Sequence, residues 1–157
     1  MAAPSKSVLF VCLGNICRSP MAEEIFRQMV KQKGELDEWK IDSAALGSWH
    51  IGSQPEKRGC KNMEQHKMPM NHMCRQVHKD DFKNFKYIFG FDNENISELK
   101  RMRPANSESI VKLLGDYDPE GIKIIRDPYY DSGDKGFEDC YQQSSRCCKA
   151  FLDEFKV

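Results

Sequence analysis

The first clear pattern in the chain is a continuous apolar run from Ser7 to Cys12. Short runs of this kind, rich in β-branched residues, are typical of a strand that is covered on both faces. Gly14 and Asn15 interrupt the run, and Ser19-Pro20 then opens a helical pattern with proline near its first turn. The sequence therefore predicts a strand, a tight loop and a helix in direct succession.

Stretches of strand character alternate with helical patterns through the rest of the chain. The predicted strands are Ser7 to Cys12, Trp39 to Leu46, Tyr87 to Phe91 and Gly121 to Ile125. The predicted later helices are Pro55 to about Lys67, Asp92 through Leu99, Ser109 to Leu114, and a final one whose apolar face carries Phe137, Tyr141, Cys148, Phe151, Leu152 and Phe155.

This alternation favours an α/β fold with a parallel sheet. We predict one domain over residues 1–157. It is expected to be a three-layer sandwich whose central four-stranded parallel sheet has the flavodoxin-like order 2-1-3-4, with helices on both faces. Ligands of such sheets bind beyond the carboxyl ends of the strands, where Cys12 to Arg18, after the first strand, and Asp127, after the last, are expected to lie.

The charge balance excludes several classes of protein. The 24 basic and 24 acidic residues cancel, so any anion must be bound locally rather than by a general field. No stretch approaches the ~20 apolar residues of a membrane span, and Met1 to Lys6 is too short and polar for a signal peptide. We expect a cytoplasmic, mostly monomeric protein with weak self-association at most, and no nucleic-acid or integral membrane association.

The cysteines argue against a disulfide framework and against a structural metal. There are seven of them, an odd number, without a secretory signal, which favours reduced thiols. Their spacings do not supply the paired ligands that structural zinc needs. We therefore expect no metal and no cofactor.

The segment from Cys12 to Ser19 has the features of an anion site with a reactive thiol. The first N–H groups of a helix lack partners and carry partial positive charge, so they bind anions. Gly14 lets the backbone approach a phosphate, and Arg18 offers a planar fork for two of its oxygens. The same field favours the thiolate form of Cys12, whose sulfur the Ser19 hydroxyl could hydrogen-bond. These residues predict attack by Cys12 on phosphorus, although Cys-x5-Arg alone also fits a buried structural cysteine.

The residues alone do not identify which aspartate would act as the acid in this chemistry. Both Asp118-Pro119 and Asp127-Pro128 are Asp-Pro pairs, and such pairs are usually only turns. Two tyrosines, Tyr129 and Tyr130, follow the second pair and not the first.

Val11 to Pro20 resembles the phosphate loop of the low-molecular-weight protein-tyrosine phosphatases, and the resemblance continues through Asp127-Pro128-Tyr129-Tyr130 into the final helix. It implies that Cys12 forms a cysteinyl-phosphate, that Arg18 and the loop N–H groups hold the phosphate oxygens, and that Asp127 is the general acid. The implied activity is metal-independent hydrolysis of phosphotyrosine in proteins and of small aryl phosphates, including acid phosphatase activity.

The resemblance also assigns roles to further positions. The implied substrate-binding or phosphate-binding residues are Leu13, Gly14, Asn15, Ile16, Cys17, Ser19, Trp49, His50, Tyr129 and Tyr130. Asn15, Ser43 and His72 are implied to hydrogen-bond one another and fix the loop's shape. Asp92 matches a further supporting position, where its ordinary role would be a helix cap. Cys12 and Cys17 are implied to form a reversible disulfide under peroxide.

Three other functions compete with this interpretation. Thioredoxin-coupled arsenate reductases share the fold and loop but need two more cysteines in mid-chain, and none occurs between Cys74 and Cys140. Bacterial protein-arginine phosphatases resemble the loop but carry threonine at the position of Ile16, and an apolar Ile16 with paired tyrosines favours an aryl phosphate. A non-catalytic phosphate-binding module would not need every chemical residue, yet all are present.

Overall fold

In the computed structural model, which describes residues 2–155, a parallel four-stranded sheet separates two layers of helices. The strands are β1 Ser7–Cys12, β2 Lys40–Ala45, β3 Tyr87–Gly90 and β4 Ile110–Leu113. Their order across the sheet is β2-β1-β3-β4, and every neighbouring pair is parallel. The predicted α/β fold and strand order are therefore confirmed. Met1, Lys156 and Val157, which the predicted domain includes, lie outside the described residues.

The helices cover both faces of this sheet. They are α1 Arg18–Gln32, α2 Lys57–Gln65, α3 Asp81–Asn84, α4 Asn93–Met102 and α5 Lys135–Asp153, with short 3-10 turns at Leu36–Glu38, Leu114–Tyr117 and Pro128–Tyr130. Between residues 2 and 155, none of the helices combines the length and the apolarity of a segment that crosses a bilayer.

β1 is buried along its whole length because both layers pack on it. Val8, Phe10 and Cys12 belong to the core on the side of α1 and α5, whereas Leu9 and Val11 belong to the core on the side of α3 and α4. Successive side chains of a strand point to opposite faces, so a strand covered on both sides needs an unbroken apolar run. The last residue of this run, Cys12, is thereby fixed at the carboxyl edge of the sheet.

One predicted helix is a strand. The segment 109–114 was expected to be helical, but Ile110–Leu113 is β4, which pairs with residues 87–90 of β3 in parallel register. The N–H of Ile110 donates to the Lys86 carbonyl oxygen at 2.7 Å. An apolar run of this length is too short for its periodicity to separate helix from strand, and the free edge of β3 decides the outcome.

The fourth predicted strand, Gly121 to Ile125, is not a strand. β4 occupies the place beside β3 that it would need, and Ile122 and Ile124 remain exposed. Ile125 is fully buried, and its N–H donates to the Phe91 carbonyl oxygen at 2.9 Å, just past the end of β3. Asp127 therefore follows an extended loop, yet this hydrogen bond still brings it to the carboxyl edge of the sheet.

Candidate active site

A pocket of about 360 Å³ opens at the carboxyl end of β1. Its wall consists of Cys12, Leu13, Gly14, Ile16, Cys17, Trp49, His50, Asp127, Tyr129 and Tyr130, all of them expected site residues. Arg18 and Asp92 line an adjoining groove of about 420 Å³ that shares Leu13, Trp49, Asp127 and Tyr130 with the pocket. The other expected residues, Asn15 and Ser19 of the loop itself and Ser43 and His72 behind it, do not line this pocket.

The loop that follows β1 is held from outside through its carbonyl groups. The four bonds run from the Leu46 N–H to Cys12 O at 3.0 Å, from the Gly47 N–H to Leu13 O at 3.0 Å, from the Cys74 thiol to Asn15 O at 2.8 Å and from the Glu56 N–H to Ile16 O at 2.8 Å. The C=O and N–H of a trans peptide point in opposite directions. The N–H groups that follow these carbonyls therefore turn away from the outer donors, towards the pocket that the loop lines.

Asn15 anchors the loop from behind. It is fully buried and has φ of +58°, a conformation that asparagine tolerates better than most residues. Its amide nitrogen donates to the hydroxyl oxygens of Ser19 at 2.7 Å and Ser43 at 3.0 Å, and its Oδ1 accepts from His72 Nε2 at 2.7 Å and from the Arg75 N–H at 3.2 Å. The structure thus brings Asn15, Ser43 and His72 together, with no part of Asn15 exposed in the pocket.

Glu23 completes this network and was missed by sequence reasoning. Its Oε1 accepts from Ser43 Oγ at 2.6 Å and lies 3.1 Å from His72 Nδ1, while Oε2 pairs with Arg27 at 2.6 Å. Burial opposes its ionisation, but the hydrogen bonds from His72 and Ser43 and the charge of Arg27 outweigh it and hold the pKa of Glu23 below its ordinary value. Its place four residues after Ser19, on the same face of α1, is the signal that could have indicated it.

Glu23, Asp42 and His72 are the described side chains whose ligand atoms could together reach a metal, since these atoms lie within 4.8 Å of one another. Each of them already has a protein partner. Glu23 accepts from Ser43, Asp42 accepts from Arg75 Nε at 2.9 Å, and His72 Nε2 bonds Asn15. This cluster therefore acts as support for the loop.

Cys12 and Ser19 face each other at the base of the pocket. The sulfur of Cys12 lies 3.0 Å from the Ser19 hydroxyl oxygen. Because that oxygen accepts a hydrogen bond from Asn15, the Ser19 proton is free to be donated to the sulfur. The geometry suits stabilisation of negative charge on Cys12.

Arg18 is a buried cation between two carboxylates. Its side chain is 2% exposed, and Nη1 donates to Asp92 Oδ2 at 2.7 Å and to the Ile125 carbonyl oxygen at 2.9 Å, while Nη2 lies 3.6 Å from Asp127 Oδ2. Burial disfavours its charge, but Cys12, Asp92 and Asp127 outweigh burial and raise the pKa of Arg18 further. Its Nε is buried and has no hydrogen-bond partner within residues 2–155.

The two carboxylate oxygens of Asp92 have different hydrogen-bond partners. Oδ1 accepts from the Asn95 N–H at 2.8 Å and so caps α4, while Oδ2 holds Arg18. The helix-cap role and the site-support role that the sequence left as alternatives therefore coexist.

Asp127 and the two tyrosines after it form one wall of the pocket. Asp127 Oδ1 accepts from the Tyr129 N–H at 3.1 Å. The two tyrosine rings stand almost perpendicular, at 89°, with Tyr130 74% exposed. Asp118, the other candidate acid, has a fully buried side chain bound by both Nε and Nη2 of Arg146 at 3.0 Å and is not part of the pocket wall.

Arg58 holds the tyrosine wall in place and carried no recognisable signal in the sequence. Its Nη2 donates to the Tyr129 carbonyl oxygen at 3.0 Å, and its Nη1 donates to the carbonyl oxygens of Asp131 at 2.6 Å and Gly133 at 2.9 Å. Its Nε donates to Glu56 Oε1 at 2.8 Å. The N–H of Glu56 in turn donates to Ile16 O in the loop that follows β1. Arg58 and Glu56 together therefore connect this loop with the tyrosine wall.

Trp49 and His50 form the rim. The Trp49 ring is 69% exposed and lies against Gly47, where an added Cβ would come within 1.9 Å of it. The His50 ring lies near Gly14, where an added Cβ would be 3.1 Å from His50 Cδ2. A side chain at Gly47 would therefore displace the Trp49 ring, whereas one at Gly14 would need only a small shift of His50.

Cys17 lines the same pocket as Cys12. It is buried, and burial, followed by the negative charge of Cys12, raises the pKa of the Cys17 thiol well above its ordinary value. Cys17 is therefore a protonated thiol against the loop.

The pocket and its adjoining groove thus bring together a strand-end cysteine, an arginine held by carboxylates and an aspartate followed by two tyrosines. The sequence model of the family described as "Low molecular weight phosphotyrosine protein phosphatase" matches residues 7–157. The chain belongs to this family. The phosphatase-family relative from Gallus gallus is 49% identical over 155 residues, covering 98% of each chain.

Solved structures agree with this family membership. The crystal structure of Primo-1 has a TM-score of 0.91 and 41% identity, covering 97% of this chain and 99% of that one. The crystal structure titled "DARP, drosophila arginine phosphatase" has a TM-score of 0.90 and 40% identity, covering 96% of this chain and 98% of that one. The fold is thus shared with a protein that is named an arginine phosphatase.

Proposed function

We propose that this chain hydrolyses phosphotyrosine in proteins, and small aryl phosphates, through a cysteinyl-phosphate on Cys12. The observation that carries the proposal is that Cys12 and Asp127, from opposite ends of the chain, line one pocket beside the buried Arg18. A nucleophile, an anion clamp and a proton donor are the three groups that metal-free phosphoryl transfer from an ester requires.

In the first step the Cys12 sulfur attacks phosphorus, forming the S–P bond as the bond from phosphorus to the phenolic oxygen breaks. Asp127 gives its proton to that oxygen, so that a neutral phenol leaves. Arg18 and the inward N–H groups of the loop hold the three remaining phosphate oxygens. The unpartnered Nε of Arg18 supports this, because an unpaired buried donor is costly unless a ligand accepts from it.

In the second step water attacks the phosphorus of the cysteinyl-phosphate. Asp127, now ionised, takes a proton from that water, and the S–P bond breaks to release inorganic phosphate and the Cys12 thiolate. The Ser19 hydroxyl, 3.0 Å from the sulfur, supports the departing thiolate. Arg18 and the loop N–H groups provide the positive charge, so the proposed reaction is metal-independent and needs no cofactor.

The aromatic rim supports an aryl leaving group. Trp49, His50, Tyr129 and Tyr130 surround the mouth of the pocket, and the His50 and Tyr129 ring centres are 6.3 Å apart. A phosphotyrosine ring could stack between such walls while its phosphate reaches the loop. We propose phosphotyrosine-containing proteins as partners, a cytoplasmic location, one domain over the chain, acid phosphatase activity and a mostly monomeric state.

Phosphoarginine is the second candidate substrate, because one structural relative at 40% identity is titled an arginine phosphatase. Ile16, which is apolar and lines the pocket, favours the aryl ester here. The test compares phosphotyrosine, phosphoserine and phosphoarginine peptides of one sequence, together with p-nitrophenyl phosphate, with and without a chelator.

We expect turnover of the phosphotyrosine peptide and of p-nitrophenyl phosphate, unaffected by the chelator. Preferential turnover of phosphoarginine would replace the aryl proposal. Arsenate-dependent consumption of reduced thioredoxin would favour a reductase, and phosphate binding without any turnover would indicate a binding module.

A further inference from the structure

Cys74 contacts the phosphate loop through its thiol. It is 2% exposed, and its sulfur donates to the Asn15 carbonyl oxygen at 2.8 Å. Its backbone is fixed on both sides, because its N–H donates to Ser53 O at 2.9 Å and its own carbonyl accepts from the Gly52 N–H at 2.8 Å. The thiol is therefore presented to the loop from a rigid segment.

This contact differs in kind from the other three bonds that hold the loop carbonyls. The carbonyl oxygens of Cys12, Leu13 and Ile16 accept hydrogen bonds from backbone N–H groups, whereas that of Asn15 accepts one from a side chain. The side-chain amide of Asn15 is held by other residues, so the Cys74 thiol is the described donor that fixes the plane of the peptide after it. That plane carries the N–H of Ile16.

We propose that Cys74 is a positioning residue, which holds the Asn15 carbonyl outward so that the Ile16 N–H points at the bound phosphate. The inference rests on the proposed function, since it assigns an N–H of the same loop to the phosphate. The C=O and N–H of a trans peptide point in opposite directions. If the Asn15 carbonyl turned inward, the phosphate would lose the Ile16 N–H as a donor and would face an oxygen that repels it.

The state of the thiol suits this task. Burial, followed by the nearby charge of Cys12, raises the pKa of Cys74 to about 11. The thiol thus keeps the proton that a donor must carry. A serine at position 74 would also supply a hydrogen-bond donor, although its hydroxyl extends slightly less far than the thiol. Alanine and valine side chains have no donor.

The test measures binding of inorganic phosphate by calorimetry and turnover of p-nitrophenyl phosphate in four variants. Cys74→Ala and Cys74→Val remove the donor, one reducing and one increasing the buried volume, and Cys74→Ser retains a donor. Cys60→Ala is the matched control, because Cys60 is half-buried and its thiol faces the Pro55 carbonyl oxygen at 3.5 Å rather than the loop.

We expect the phosphate Kd of Cys74→Ala and Cys74→Val to rise about threefold to tenfold, as for loss of one neutral hydrogen bond. Cys74→Ser should stay within about twofold of wild type, as should Cys60→Ala. Equal losses in Cys74→Ser and Cys74→Ala would assign the effect to packing and overturn the inference. Unchanged affinity in both donor-free variants would also overturn it while leaving the proposed function intact; a wild type that neither binds phosphate nor turns over the ester would overturn both.

Discussion

The sulfur of Cys12 lies 3.0 Å from the hydroxyl oxygen of Ser19, and the Asn15 amide donates to that same oxygen at 2.7 Å. The Asn15 donation uses only an acceptor site of that oxygen, so the Ser19 hydroxyl can still donate its proton to the sulfur. Ser43 and Glu23 extend the chain of hydrogen bonds behind Asn15. The Cys12 sulfur therefore lies at the end of a connected hydrogen-bond network rather than in one isolated contact.

Removing this hydroxyl tests its share in the chemistry. Ser19→Ala should lower kcat by about tenfold or more, since hydrogen bonds to charged groups are worth about 1.5–3 kcal/mol. The loss should be largest in breakdown of the phosphoenzyme, where the thiolate departs. Stopped-flow measurement of the burst and steady-state phases checks this, with the exposed Ser97→Ala as control. Wild-type rates in Ser19→Ala would remove the hydroxyl from the mechanism.

Asp127 is tested through the leaving group. Asp127→Asn should slow phosphotyrosine esters by about 10²–10⁴-fold, the usual worth of a general acid. Esters with acidic leaving groups should suffer far less, because their anions depart without a proton. Rates across a series of aryl phosphates give the comparison.

The other Asp-Pro pair provides the control for Asp127. Asp118→Asn makes the same change at a residue that bonds Arg146 outside the pocket wall. Equal slowing of all esters by Asp127→Asn would move the acid elsewhere, with Asp92 in the adjoining groove as the next candidate.

Cys17 is expected to protect Cys12 from irreversible oxidation. Peroxide would convert the Cys12 thiolate to a sulfenic acid, which the Cys17 thiol then attacks, forming a disulfide and releasing water. Wild type should therefore regain activity after reduction, whereas Cys17→Ser should lose it for good. Activity after peroxide and dithiothreitol measures this, with Cys60→Ser as control, and equal recovery in Cys17→Ser would refute the protection.

The buried Asp118–Arg146 pair should give stability that depends on pH. The hydrogen bond from Arg146 is the main reason that the pKa of Asp118 lies below its ordinary value. A depressed carboxylate pKa stabilises the fold fully above the unfolded-state pKa, near 3.9, and this contribution is lost as pH falls through the folded-state pKa. Because Arg146 is partly exposed and asparagine keeps one hydrogen-bond acceptor, Asp118→Asn should cost about 1–2 kcal/mol of unfolding free energy at neutral pH.

Denaturant titrations between pH 7 and pH 3 test this pair. The difference in unfolding free energy between wild type and Asp118→Asn should stay level down to about pH 5 and shrink below about pH 4. A difference that grows on acidification would show that the pair is not ionised in the folded protein.

The sequence predicted the fold and the pocket wall well for physical reasons. Burial on both faces imposes a continuous apolar run on β1, and the loop after it needs glycine and a cation close together in sequence. The prediction of a strand over Gly121 to Ile125 was wrong because an apolar stretch does not reveal whether a sheet edge is free to pair with it. In the structure β4 pairs with that edge of β3.

Supporting residues were harder to predict because they act across large sequence separations. Arg58 reaches the carbonyl oxygens of residues 129–133, and Cys74 reaches Asn15, through contacts that only the folded chain creates. Neither side chain belongs to a local motif. Glu23 was also missed, although its helical spacing from Ser19 is a local signal that could have indicated it.

The most direct test of the central claim is to trap the intermediate. Wild-type protein is quenched in acid during turnover of p-nitrophenyl phosphate and examined by mass spectrometry of its peptides, beside Cys12→Ser. The account predicts one phosphoryl group on Cys12 in wild type and none in Cys12→Ser, which should lose turnover by more than about 10³-fold while still binding inorganic phosphate. A phosphoryl group on another residue, or normal turnover by Cys12→Ser, would contradict it.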